Sequence, residues 1–165
     1  MKLFDFSKKG IARLCLVAAA AIVICKFIFV PYHVNGYSMD PTCPDGSFVI
    51  VSTLSFYISP PRRGDLVVAR TNKEPYLHIL KRIVGMPGEI IAIRNGQVLI
   101  NGTPLKEPYL NSRKNPWNMD KKQLGKNTYY LIGDNRSMPL KNHLHREVSD
   151  RNILGKAIPV YLAGN

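Results

Sequence analysis

The chain has 165 residues, a formal net charge of +12 from 23 basic and 11 acidic side chains, and three cysteines. That length accommodates one domain and a membrane segment and excludes two substantial domains. The charge excess favours an anionic partner. The clearest basic cluster, Lys2, Lys8, Lys9 and Arg13 against Asp5, flanks an apolar run, so lipid rather than nucleic acid is the expected partner.

From Leu14 to Pro31 the chain reads LCLVAAAAIVICKFIFVP, with Lys26 as the only charge. At 1.5 Å per residue, about 18 to 20 residues span a ~30 Å hydrocarbon core. Lys26 would cost about 3 kcal/mol at the bilayer centre, and less near the outer end, where its ammonium reaches the headgroups. Ala18 to Ala21 lie inside the run rather than after it, which favours an uncleaved signal-anchor over a cleaved signal peptide. The basic flank then places residues 1–13 in the cytoplasm as a tail. Residues 14–31 form a single pass through the inner (plasma) membrane, and 32–165 form an extracytoplasmic domain.

The remainder reads as β structure. Short β-branched runs at 48–51, 66–69, 79–84, 90–93, 98–100, 129–132 and 157–162 alternate with Gly, Pro and Asn. Asn95-Gly96 is a strong type I′ hairpin signal, and Asn101-Gly102 supplies a second turn. Residues 102–127, with three prolines and Trp117, read as a long surface excursion between strands. Cys15 and Cys25 fall in the apolar run. Cys43 stands alone in the rest, so no internal disulfide framework is available there. The histidines His33, His78, His143 and His145 make no zinc signature, and His143-x-His145 reads as a solvated pair. No metal or organic cofactor is expected.

Two segments carry chemistry. Ser38 lies in Gly36-Tyr37-Ser38-Met39-Asp40-Pro41-Thr42, shortly after the apolar run, and Lys81 follows 43 residues later in His78-Ile79-Leu80-Lys81-Arg82-Ile83-Val84-Gly85. Serine is a weak nucleophile until a neighbouring base takes its proton, and Ser-Lys pairs are a known solution. In a strand at 78–84, Ile79, Lys81 and Ile83 share one face, so Lys81 is flanked by aliphatic side chains. Neutrality at pH 7 requires its pKa to fall some three units from about 10.4, roughly 4 kcal/mol, which only a buried site supplies. Gly133-Asp134-Asn135-Arg136-Ser137 closes the apolar strand before it. There Asp134 or Asn135 would hold a turn that brings Ser137 beside the lysine. Arg63-Gly64-Asp65 reads as a turn into a buried strand.

In order, Ser38-Met39-x-Pro41-Thr42, Gly64-Asp65-Leu66-Val67-Val68, Lys81-Arg82-Ile83-Val84-Gly85-x-Pro87-Gly88-Glu89 and Gly133-Asp134-Asn135-Arg136 resemble the sequence boxes of the type I signal peptidase family. Ile100-Asn101-Gly102-Thr103-Pro104-Leu105-x-Glu107-Pro108-Tyr109-Leu110 also resembles that family. The resemblance implies a mainly β fold of two antiparallel sheets with an apolar membrane-facing surface, behind one N-terminal transmembrane helix. It further implies Ser38 as nucleophile, Lys81 as general base, and cleavage of exported preproteins after small residues. The N–H of Ser38 would help bind the oxyanion.

Two departures stand out. Gly36 occupies the position where some members place a serine hydroxyl as second oxyanion donor. After Arg136, Pro139 replaces the serine that usually orients the lysine and Lys141 the aspartate, leaving Ser137 as a substitute. Such a final box also suits a relative that matures conjugative pilin precursors. The competing reading of another class is a non-catalytic basic β domain tethered to the membrane.

Overall fold

The computed structural model describes residues 8–71, 77–110, 115–143 and 147–160. His145, the tail before Lys8 and the end of the 157–162 run lie outside these residues.

The apolar run forms helix α1, Lys8–Ile28, with mean hydropathy 2.4 over an 18-residue stretch of it and no residue buried against the rest of the chain. At 1.5 Å per residue it is about 32 Å long. Among the described residues it is one helix long and apolar enough to cross a membrane. The run does not stay helical to Pro31, because Phe29–His33 leave it as strand β1. Pro31 breaks a helix and is tolerated on an edge strand, which is where β1 lies.

Ten further strands follow among the described residues: β2 Phe48–Ser52, β3 Leu66–Arg70, β4 His78–Gly85, β5 Ile90–Arg94, β6 Gln97–Ile100, β7 Thr103–Pro104, β8 Met119–Gln123, β9 Thr128–Ile132, β10 Glu147–Ser149 and β11 Ile153–Val160. A short helix α2, Ser55–Ile58, sits between β2 and β3. All strand pairs are antiparallel, in a seven-stranded sheet ordered β1-β2-β11-β3-β4-β9-β10 and a four-stranded sheet ordered β7-β6-β5-β8. The β5–β6 turn has positive φ at both Asn95 (49°) and Gly96 (77°), and the β6–β7 turn at Asn101 (50°) and Gly102 (85°). Both are the type I′ geometry that Asn-Gly favours.

Residues 102–127 are not the surface excursion that their composition suggests. β7 and β8 extend the small sheet on either side, and Trp117 is buried between the sheets with Val84, Ile91, Ile93, Val98, Leu124, Tyr130 and Ile132. β8 reads MDKKQ and is mostly exposed. Pairing on one side only requires no apolar face, and its lysines protect a sheet edge from further pairing.

The large sheet has two dissimilar faces near α1. Val49, Val51 and Ala157 point into the core with Met39 and Cys43. On the opposite face Pro31, Ile50 and Ile158 stand in register, as do His33, Phe48 and Val160. Phe48, Ile50 and Ile158 there are 37–49% exposed, and Phe29 at the start of β1 is 47% exposed.

Candidate active site

Ser38 lies in the loop between β1 and β2, and Lys81 near the middle of β4. β4 outruns its neighbour, since β9 pairs only from Arg82 onward. Around Lys81, Ile79 and Ile83 pack with Val67, Ala69 and Leu131, while Leu80 packs with Val68 and Met39. The lysine is thereby enclosed, with 8% of its surface exposed, and its Nζ is hydrogen-bonded to Ser38 Oγ. Burial lowers its pKa to about 8, against the opposing pull of the Asp134 carboxylate.

The Gly133–Arg136 turn, immediately after β9, cradles the serine backbone. Asn135 N–H donates to Ser38 O at 3.1 Å, and Asn135 Nδ2 donates to Tyr37 O at 2.9 Å. Gly133 touches the same carbonyl so closely that an added Cβ would sit 2.1 Å from Ser38 O. Asp134, fully buried, accepts from Arg82 Nε (2.8 Å), Arg82 Nη2 (2.5 Å) and Thr42 Oγ1 (2.6 Å). It therefore ties the Ser38 loop to the residue next to Lys81. Burial works against the Arg82 charge, but the bonds to Asp134 prevail and raise its pKa. Removing one partner of such a pair costs about 3–5 kcal/mol.

His143 is not solvated. It is 1% exposed and packs on Trp117 at 4.7 Å between centroids. Gly133 N–H donates to its Nδ1 at 3.3 Å, so Nε2 carries the proton toward Asn135 O, 3.2 Å away. The ring thus spans the turn from beneath. Cys43, in the same loop as Ser38, is buried in the core, and its thiol is pushed up to about 11, mainly by burial. It packs there as an inert thiol.

Ser137 does not substitute for the missing orienting serine. Its Oγ donates to Asn135 Oδ1 at 2.5 Å on the exposed side of the turn, with no bond to Lys81. Gly36 serves through its backbone: its φ of +102° suits glycine, and its N–H donates to Asp45 Oδ1 at 2.6 Å. That N–H is therefore committed, whereas the N–H of Ser38 has no hydrogen-bond partner among the described residues. The Gly64-Asp65 box and the end of the Lys81 box make structural contacts. Asp65 pairs with Lys156 at 2.7 Å, Gly64 O accepts from Arg82 Nη1 at 2.7 Å, and Glu89 pairs with Arg63 while accepting from Met86 N–H at 2.8 Å.

A pocket of about 160 Å³ opens beside the pair, lined by Tyr32, Val34, Gly36, Met39, Leu80 and others. A hydroxyl bonded to a buried amine, beside an unused backbone N–H and a small pocket, suits an acyl-transfer hydrolase whose base is an amine.

Comparison with known proteins also indicates a hydrolase. The family model described as "Signal peptidase, peptidase S26" matches residues 7–162. "Signal peptidase I" of Leptolyngbya laminosa is 33% identical over 158 residues, covering 91% of this chain and 77% of that protein. "Signal peptidase I" of Bacillus amyloliquefaciens is 36% identical over 145 residues, covering 81% and 77%. "Signal peptidase IB" of Staphylococcus aureus is 30% identical over 175 residues, covering 90% and 88%. The chain belongs to the type I signal peptidase family, and is thus a peptidase of the hydrolase class.

Proposed function

We propose that the chain is a membrane-anchored serine endopeptidase that removes signal peptides from exported preproteins with Ser38 and Lys81. The observation that carries this reading is the hydrogen bond between Lys81 Nζ and Ser38 Oγ in a site dry enough to bring the amine to about pKa 8. Neutral Lys81 takes the Ser38 proton as Oγ attacks the scissile carbonyl, and returns it to the leaving amine. The free Ser38 N–H donates to the oxyanion, and the pocket beside it takes a small side chain. Asp134 and Asn135 support both partners through Thr42, Arg82 and the serine backbone.

The unusual final box favours a second substrate, a pilin precursor processed by the same dyad. Purified full-length protein incubated in parallel with a general exported preprotein and a pilin precursor decides between them. Cleavage of the preprotein after a small residue is expected, and exclusive cleavage of the pilin precursor would transfer the enzyme to the second role.

The basic flank at Lys8, Lys9 and Arg13 motivates the orientation. α1 spans the inner membrane with its N-terminus in the cytoplasm, and the exposed Phe29, Phe48, Ile50 and Ile158 rest on the outer leaflet. Protease added to spheroplasts should digest the β domain while an N-terminal tag stays protected. A protected β domain would reverse the orientation and rule out an export peptidase.

A further inference from the structure

The stretch containing Glu107 and Tyr109 donates nothing to Ser38 or Lys81, yet its two polar side chains reach both guanidiniums that frame them. Glu107 and Arg136 form an ion pair with each side chain only 1% exposed. Arg136 Nη2 binds Glu107 Oε1, and Nη1 binds Oε2 at 3.2 Å. The third guanidinium nitrogen, Nε, donates to Gly133 O at 3.0 Å, and Gly133 is the residue against which the Ser38 carbonyl rests. Tyr109 OH donates to Glu107 Oε1 at 2.9 Å. Its ring covers Arg82, with Cζ 3.9 Å from the centroid, and Arg82 holds Asp134 beside Lys81.

We propose that Glu107 and Tyr109 are positioning residues for the reaction. Glu107 fixes the fork of Arg136 so that its Nε holds the turn supporting Ser38, while Tyr109 seats Arg82 against Asp134 on the lysine side. A bidentate carboxylate fixes the direction of a guanidinium as well as neutralising it. Direction is what the Gly133 carbonyl requires. Apolar side chains of similar volume replace a buried ion pair with little loss of stability, but they donate no hydrogen bond. Packing and positioning are therefore separable.

The inference rests on the Ser38–Lys81 reading, so its test is made on full-length protein whose Ser38→Ala variant is inactive. If that variant were active, the dyad itself would fall, and the inference with it. Three measurements are made: kcat and KM on a preprotein substrate, and thermal unfolding. Glu107→Gln is expected to lower kcat roughly 10- to 100-fold, the scale of a small misplacement of a reacting group, with KM within about twofold. The double variant Glu107→Leu/Arg136→Met should regain thermal stability without regaining kcat, and it carries the test should Glu107→Gln fail to fold. Tyr109→Leu should lower kcat, and Tyr109→Phe, which keeps the ring over Arg82, should recover most of the loss. Wild-type kcat in the double variant, or equal kcat in Tyr109→Leu and the wild type, would show that this stretch only packs, and would overturn the proposal.

Discussion

Changing Lys81 to arginine is expected to abolish turnover, by roughly 10³-fold or more, in a protein that still folds and inserts. Lys81 is 8% exposed with its amine bonded to the Ser38 hydroxyl, and burial lowers its pKa to about 8. At pH 7, about one unit below that value, about a tenth of the lysine is neutral and able to accept a proton. Activity should therefore rise with pH through about 8 and then plateau. Guanidinium stays protonated throughout this range and cannot serve as base. Lys81→Ala and Ser38→Ala should be as inactive as Lys81→Arg, since a pair acting as a unit loses nearly all its effect with either member. Substantial activity in Lys81→Arg with an unchanged pH profile would sink the dyad.

Gly133→Ala should be nearly as damaging, although the residue carries no chemistry. An added Cβ would lie 2.1 Å from Ser38 O, 3.0 Å from Ser38 C and 3.1 Å from His143 Cε1. The first two are backbone atoms of Ser38, so relief requires that this residue or the turn move. A misplacement of about 1 Å costs on the order of 100-fold in rate. Overpacking of this kind also costs roughly 1–3 kcal/mol of stability. Single-turnover acylation of Ser38 and thermal unfolding, measured together, separate the two effects. Wild-type acylation in Gly133→Ala would show that the serine loop does not rest on this turn.

Much of the fold is written in local chemistry. Alternating β-branched residues locate β2 to β6, β9 and β11, and Asn-Gly at 95–96 and 101–102 specifies both tight turns, because each signal depends on a few consecutive φ and ψ angles. The apolar run announces α1, and the Ser38 and Lys81 segments stand out as a hydroxyl and an amine in distinctive local sequence. Its end was not legible: Phe, Val and Tyr are as apolar in β1 as in a helix, and only pairing with β2 decides the matter. The polar strand β8 and the buried Trp117 were hidden for the converse reason, since an edge strand needs no alternation and one tryptophan among prolines does not say what covers it.

At the site, residue types were legible and distances were not. The sequence alone determined that a serine and a lysine with aliphatic neighbours stand in one β domain behind an apolar helix. The tertiary structure decided that they meet, that Asp134 binds Thr42 across 92 residues, and that Asn135 reaches Tyr37 across 98. It also moved Ser137 out to Asn135 and His143 in beneath the turn, and made Gly133 a point of contact rather than a flexible corner. The physical reason is the same in each case. Propensity and periodicity act over a few neighbouring residues, whereas burial, pKa and close approach are set by groups that only chain closure brings together.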